Sequence, residues 1–572
     1  MKKKYYFIIA GVIVIAAILY FVLTYKDLTD KIILPYIAHQ KPVVDPHLPH
    51  SVPLSDKLDE VLYDGLFNIS ANPSGITYED GLGELLNLDE NNVLTIRLKP
   101  KKKWHSSYNI NSEDDEVTVV DGTDVYFTAD DLRFTLRRIK NLGSRSPDYI
   151  LISQAIEPMD FDGPDKNNEI RFKFKDDRVW TESDIKEVLS FKILPYDSEI
   201  NASYYPIGSG PYMTVDRQSQ VSNYYKSPAE KANITNVILK PFIDNSTFIT
   251  EFKNENINVL LGTPFGSLSS LLNDKEVYFA KSNISTTFFA LLFNTTRLNR
   301  NQRISLRNLI NSKIILNRFF KIGSEQQRHI KDYKGNTDNY EDYLNYSIFP
   351  TSSYYVDEEI IVPPRQTVTP DISVLADTIR IQCCLNYGFR EEFTDIINVL
   401  NDRSLFKGKI KATAVTNDEL KKGNYDAVLI AITGYRSNFL FDFYNIFLRE
   451  PDLANYKINL KVNTDGSVNN SSFSAAKNFF RLDASVLNED QEDIIKLLDY
   501  IYGFMSTREV GDRQAYAGFI DQTEQELALG KWLFSLPSLA YFNRQFDEST
   551  IDLYGVASQL STIEKWQEKM DE

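Results

Sequence analysis

The sequence predicts an α/β protein built in two or three lobes and carried on one membrane-spanning helix. Three observations predict it. At 572 residues the chain is far longer than a single ordinary domain. Strand and helix patterns alternate as βαβαβ between Thr378 and Ile432. An uncharged apolar run from Tyr5 to Tyr25 follows the cluster Lys2, Lys3 and Lys4.

The apolar run sets the topology. Its 21 positions, at about 1.5 Å each, span about 30 Å, one hydrocarbon core. The triple-lysine end is expected in the cytoplasm and the body outside. The rival is a cleaved signal peptide. The bulky exit Ile18, Leu19, Tyr20, Phe21, Val22 does not suit a peptidase, and no lipoprotein cysteine follows, so the sequence favours an uncleaved anchor over residues 1–25. The chain is thus expected in the cell membrane, single-pass, with its body in the periplasm or extracellular space.

Composition then limits the function classes. Hydrophobic residues make up 42% and aromatics 13%, enough for packed cores. Acidic residues exceed basic ones, 79 against 63, for a net charge of −16. Such a body repels phosphate backbones, and no nucleic-acid partner is expected. The two cysteines, Cys383 and Cys384, are neighbours in an expected strand and point to opposite faces, so they read as small apolar residues. Five scattered histidines give no zinc spacing, and His39, His47 and His50 in a proline-rich stretch make a weak metal signal. No metal or cofactor is expected.

Along the body, Lys31 to Ala38 reads as a strand, and a proline-rich stretch follows with Pro42, Pro46, Pro49 and Pro53. Ser55 is expected to cap a helix carrying Leu58, Val61 and Leu62, with Gly65 closing it. Val93 to Leu98 alternates as a strand with Leu94, Ile96 and Leu98 on one face. Thr128-Ala-Asp-Asp131 opens a helix with Leu132, Leu136 and Ile139 at helical spacing. Ser106 to Val120, rich in Ser, Asn, Asp and Glu, reads as a surface insertion.

The second half is patterned more sharply. Thr378–Leu385, Lys409–Val415 and Tyr425–Ile432 read as strands of a parallel sheet, with helices at Phe389–Leu400 and Asn417–Lys422 between them. Ligands of such sheets sit beyond the carboxyl ends of strands, here Asn386-Tyr387-Gly388 and Thr433-Gly434-Tyr435-Arg436. Candidate contacts are His39 and Gln40 after the first strand, with Tyr387, Gly434, Tyr435 and Arg436. A guanidinium at Arg436 suits a carboxylate and repels an ammonium, so acidic or blocked ligands are expected to bind best.

Enzyme signatures are missing. No G-x-S-x-G elbow, P-loop or H-E-x-x-H is present. Gly208-Ser-Gly210-Pro-Tyr has a phosphate-loop look, but Pro211 removes a donor, and a turn is expected. Catalytic residues are expected to be absent.

The ordered motifs resemble one family. Asp45-Pro46, Glu60-Val-Leu-Tyr63-Asp-Gly65-Leu, Leu94-Thr-Ile-Arg-Leu98-Lys-Pro100, Lys103-Trp104-His105 and Asp121-Gly122 come first. Phe191-Lys-Ile-Leu194-Pro195, Pro206-Ile-Gly208-Ser-Gly210-Pro-Tyr212, Asn223-Tyr-Tyr225, Phe293-Asn294 and Gly423-Asn-Tyr-Asp426 follow. Together they are similar to the extracytoplasmic solute-binding proteins, family 5, of oligopeptide, dipeptide and nickel ABC importers. The resemblance implies a two-lobed, periplasmic-binding-protein-like clamp of type II. One lobe would combine residues 30–285 with about 505–572, and the other would be the βαβ-rich 286–504. It implies a peptide or similar small solute as ligand, an ABC permease in the membrane as partner, and no catalysis. The acidic residue that family peptide binders often place after the third strand of the middle lobe is replaced by Gly434-Tyr435-Arg436-Ser437. A membrane-anchored sensor or interaction protein that keeps the clamp without uptake is the alternative.

Overall fold

The computed structural model describes residues 30–38, 42, 44–48, 53–72, 75–99, 101–113, 116–176, 180–196, 198, 206–214, 222–244, 246–261, 278–319, 344–349, 354–355, 358–359, 368–385, 390–432, 463–464, 478–482, 489–507, 510–551, 560 and 562–569. The expected membrane segment lies outside them. Among the described residues, no helix is long and apolar enough to cross a membrane.

The first strand, β1 (Lys31–Ile37), alternates as its sequence does, with Ile32, Leu34 and Tyr36 buried. It pairs in parallel with β11 (Asn236–Phe242), which pairs antiparallel with β10 (Ser222–Lys226), and β10 with β9 (Tyr212–Thr214). Helix α1 (Pro53–Leu62) buries Leu58, Val61 and Leu62 against this sheet's core. It begins two residues before the expected cap, leaving Ser55 inside. Pro53 takes the first helical position, where its fixed φ and missing N–H cost nothing. Gly65 does not close the helix either. It forms an isolated bridge with Lys192, where a Cβ would meet Ser190 O at 2.8 Å.

Two hairpins and a small sheet come next. β2 (Phe67–Asn72) pairs with β3 (Gly75–Asp80), and β4 (Gly83–Leu88), β5 (Val93–Leu98) and β8 (Glu169–Lys173) form a three-stranded sheet. Leu94, Ile96 and Leu98 all face the core, as the alternation requires. The polar insertion is a hairpin, β6 (Tyr108–Glu113) with β7 (Glu116–Asp121). Helix α2 (Ala129–Leu142) starts at the expected box, where Thr128 N–H donates to Asp131 Oδ2 at 2.7 Å. α3 (Pro147–Ala155) and α4 (Glu182–Val188) complete this part.

The centre is a six-stranded mixed sheet in the order β12-β19-β13-β18-β16-β17. Its members are β12 (Val259–Leu261), β13 (Tyr278–Phe293), β16 (Ile379–Cys384), β17 (Ile410–Val415), β18 (Ala427–Ile432) and β19 (Gly530–Asn543). β16 runs parallel to both β17 and β18, as the alternating pattern predicts. Cys383 and Cys384 are free and face two different cores.

Helices cover the sheet: α5 (Ser246–Lys253), α6 (Arg300–Leu309), α7 (Ser312–Phe319), α8 (Arg390–Leu400), α9 (Asn417–Lys421), α10 (Gln491–Ser506) and α11 (Val510–Leu527). A two-strand ribbon, β14 (Tyr354–Tyr355) with β15 (Glu358–Glu359), precedes β16. Arg303 of α6, fully buried, donates to Asp490 Oδ2 at 2.6 Å and so ties α6 to the start of α10.

Candidate functional site

The two longest strands link the two halves of the fold. β13 and β19 pair antiparallel in two stretches, Tyr278–Ile284 with Asn543–Pro537, and Phe288–Leu292 with Ser535–Gly530. The register breaks between Ile284 and Phe288. Before the break, Phe279, Ala540 and Phe542 pack in the core of β1 and β11. After it, Phe289, Leu291, Phe293, Leu533 and Phe534 pack with Ile379, Ile381 and Leu429 of the parallel sheet. One ribbon therefore runs from one lobe into the other, and a bulge-like break lets it bend.

Among the described residues, other strands run toward that break from either side. β18 pairs only with the second stretch of β13, and its last residue, Ile432, lies opposite Phe288. β12 pairs only with the first stretch of β19, and its last residue, Leu261, lies opposite Ala540. β16 runs parallel to β18 and ends at Cys384. β1 adjoins β12, since Asn258 accepts from Ile33 N–H at 2.7 Å and donates to Lys31 O at 2.8 Å. The carboxyl ends of strands from both lobes thus point toward the crossing, the kind of position at which such sheets bind ligands.

The candidate contacts His39, Gln40, Tyr387, Gly434, Tyr435 and Arg436 lie outside the described residues. They follow directly in sequence on β1, β16 and β18.

Two buried polar nodes hold the family-like motifs together. In the first, His105 N–H donates to Gly208 O at 2.8 Å, and Gly208 N–H donates to His105 Nδ1 at 3.1 Å. The opposite ring nitrogen, Nε2–H, donates to Gly210 O at 2.8 Å, which assigns the neutral tautomer. Burial pushes this imidazole down to about 4. Ser209 Oγ donates to Asp64 Oδ2 at 2.9 Å, and Lys102 Nζ lies 3.3 Å from the same oxygen. The glycines are required here, because a Cβ on Gly208 would sit 1.8 Å from Leu62 O. The expected turn is therefore a structural clamp on the Tyr63-Asp64-Gly65 segment, with no phosphate loop.

In the second node, Arg138 of α2 grips Asp45 with two bonds, 2.9 Å to Oδ1 and 2.6 Å to Oδ2. Its Nη1 also donates to His47 Nδ1 at 2.7 Å, while His47 Nε2–H donates to Lys192 O at 2.7 Å. Burial alone would raise the Asp45 carboxyl, but the Arg138 guanidinium outweighs it and holds it below the ordinary carboxylate value. Burial lowers His47. Both ring nitrogens of His47 are thus engaged, so His47 cannot join His39 and His50 at a metal as it stands. Among the described residues, no group of three His, Cys, Asp or Glu is placed to hold a metal ion. Trp104 is fully buried against Phe127, as a packing anchor should be.

Sequence reading did not find Arg138, whose partners lie 91 to 93 residues away. Its only local signal was a cation on the helix that the Thr128 box opens.

Comparison with known proteins agrees with this geometry. Residues 87–352 match the family described as bacterial extracellular solute-binding proteins, family 5 middle. No curated protein matches the chain. Among solved structures, the fold is similar to the ABC transporter substrate binding protein CtaP of Listeria monocytogenes, with a TM-score of 0.63 and 13% identity over 94% of this chain and 99% of that one. It is also similar to NikZ of Campylobacter jejuni, solved with Ni(L-His), at 0.60 and 15% over 94% and 100%. The oligopeptide-binding protein AppA of Bacillus subtilis, solved with a nonapeptide, gives 0.59 and 13% over 94% and 99%. At these identities the likeness speaks for the two-lobed α/β fold. The family match over residues 87–352, set in that shared fold, makes this chain similar to the bacterial extracellular solute-binding proteins, family 5.

Proposed function

We propose that this chain is the extracytoplasmic solute-binding component of an ABC importer, that it captures peptides, and that residues 5–25 anchor it in the membrane. It carries out no catalysis. The observation that bears the reading is that strands from both sides run with their carboxyl ends toward the β13–β19 register break. A peptide is recognised there through main-chain bonds, with side-chain pockets adding selectivity.

The lobes are read as residues 30–285 with about 505–572, and residues 286–504. The break after Ile284 supports the first boundary. α11 contacts both sides, through Arg513 with Asp184 of α4 and through Glu524 with Arg307 of α6. Peptide is favoured over a nickel chelate because two of the five histidines, His47 and His105, are consumed in buried structural bonds.

Thermal unfolding of the purified chain against a random peptide mixture and against nickel with histidine tests this reading. A ligand that binds only the folded state raises the midpoint by mass action. A rise with peptide alone supports it, and a rise with nickel–histidine alone overturns the solute assignment.

A further inference from the structure

The β13–β19 ribbon is irregular in two places. Ile284 pairs with Pro537 and Phe288 with Ser535, so residues 285–287 of β13 stand opposite residue 536 alone of β19. Phe289 then pairs with Phe534 but Ala290 with Trp532, which leaves Leu533 without a partner on β13. The rungs Phe288–Ser535 and Phe289–Phe534 therefore form an island with a break on each side. A ladder interrupted twice over so short a stretch bends, and its unpaired main-chain groups must be satisfied from elsewhere.

The segment 344–349 satisfies them. Leu344 forms an antiparallel bridge with Phe534. Asn345 N–H donates at 3.2 Å to the carbonyl of Leu533, the unpaired residue. The Asn345 side chain reaches Ser535: Nδ2 donates to Oγ at 3.2 Å, and the hydroxyl donates to Oδ1 at 3.3 Å. Leu344, Asn345, Phe534 and Ser535 are all buried, so water does not compete for these bonds.

The same segment runs on to α11. Gln525 Nε2 donates to Tyr346 O at 3.4 Å, and the Ser347 hydroxyl donates to Asp521. Ile348 and Phe349 are buried beyond it. α11 in turn holds Asp184 of α4, in the first lobe, through Arg513. Two routes thus join the lobes, the ribbon and α11, and segment 344–349 ties one to the other beside the breaks. A bend between two bodies keeps its angle when such a third contact spans it.

We propose that segment 344–349 is a brace that sets the angle of the clamp, with Asn345 and Ser535 as its positioning pair. The proposal rests on the reading of this chain as a two-lobed solute clamp. The pair acts on solute capture through the ribbon. Loosening it spreads the lobes over more angles, and the apparent affinity falls by the factor by which the binding-competent population falls.

Spin labels on Asp130→Cys of α2 and Asp418→Cys of α9, both exposed positions, report the distance between the lobes in the full chain by pulsed electron resonance. The chain without added cysteines, whose own two are buried, serves as the labelling blank. Asn345→Leu and the milder Ser535→Ala should each broaden or shift the solute-free distance distribution. A distribution unchanged in both variants, whatever the melting temperature does, makes the segment mere packing and overturns the brace. Titration of the same chains with a random peptide mixture is the separate arm. A broadened distribution in variants of a chain that itself binds no peptide supports the brace and overturns the solute reading alone.

Discussion

Arg513 of α11 donates through Nη2 to the Asp184 carboxylate of α4 at 3.0 Å, joining two buried side chains that lie 329 residues apart. The same carboxylate caps its own helix by accepting from Thr181 N–H at 3.2 Å. Removing one partner of a buried pair leaves the other charge uncompensated, at a cost of about 3–5 kcal/mol. Arg513→Met should lower the urea midpoint accordingly. Adding Asp184→Asn should cost less than the sum of the two single changes, which a double-mutant cycle measures.

His105 makes stability fall in mild acid. In the unfolded chain an imidazole binds its proton below about pH 6.5. In the fold, burial pushes His105 down to about 4. Between those values the unfolded state holds more protons, so stability is lost as pH drops, by about 3 kcal/mol across the window. His47, also lowered by burial, acts in the same direction. Glu524 acts oppositely, because burial raises its carboxyl and protonation then favours the fold. The comparison with His105→Gln isolates the imidazole: the wild-type melting temperature should fall more steeply from pH 6.5 to 4.5 than the variant's.

Two glycines should respond in opposite ways to alanine. A Cβ on Gly208 meets the Leu62 carbonyl at 1.8 Å, a backbone atom that cannot rotate away. Gly208→Ala should therefore fail to give folded protein. A Cβ on Gly518, within α11, meets nothing within 4 Å. Gly518→Ala should gain about 0.5–1 kcal/mol from helix propensity, read as a higher melting temperature.

Arg436 is expected to select ligand charge. A forked bond from its guanidinium to a carboxylate is worth about 1.5–3 kcal/mol. Arg436→Ala should weaken acidic ligands about tenfold or more and leave neutral ones nearly unchanged, as calorimetric titration would record.

Local patterns carried much of this fold. The strands and helices between Ile379 and Ile432 fall within two residues of their sequence limits, because short alternating strands and the Thr416 box mark their own ends. The segment from Ser106 to Val120 hid its hairpin. Tyr108, Ile110, Val117 and Val119 alternate onto one face, but polar content outweighed them in the reading. Ser55 misled because a hydroxyl suits a cap anywhere, whereas Pro53 could start the helix earlier. The β13–β19 ribbon and the Arg138–Asp45 pair were not legible, since each joins segments far apart in sequence. The strand ends leading to the candidate site could be read, while the six candidate contacts themselves lie outside the described residues.

Small-angle scattering with and without a peptide mixture tests the clamp most directly. If the lobes close on a peptide at the β13–β19 crossing, the radius of gyration of the body from residue 28 onward should decrease on adding peptides. An unchanged radius, together with an unchanged melting temperature across broad peptide and sugar libraries, would contradict the solute-capture account.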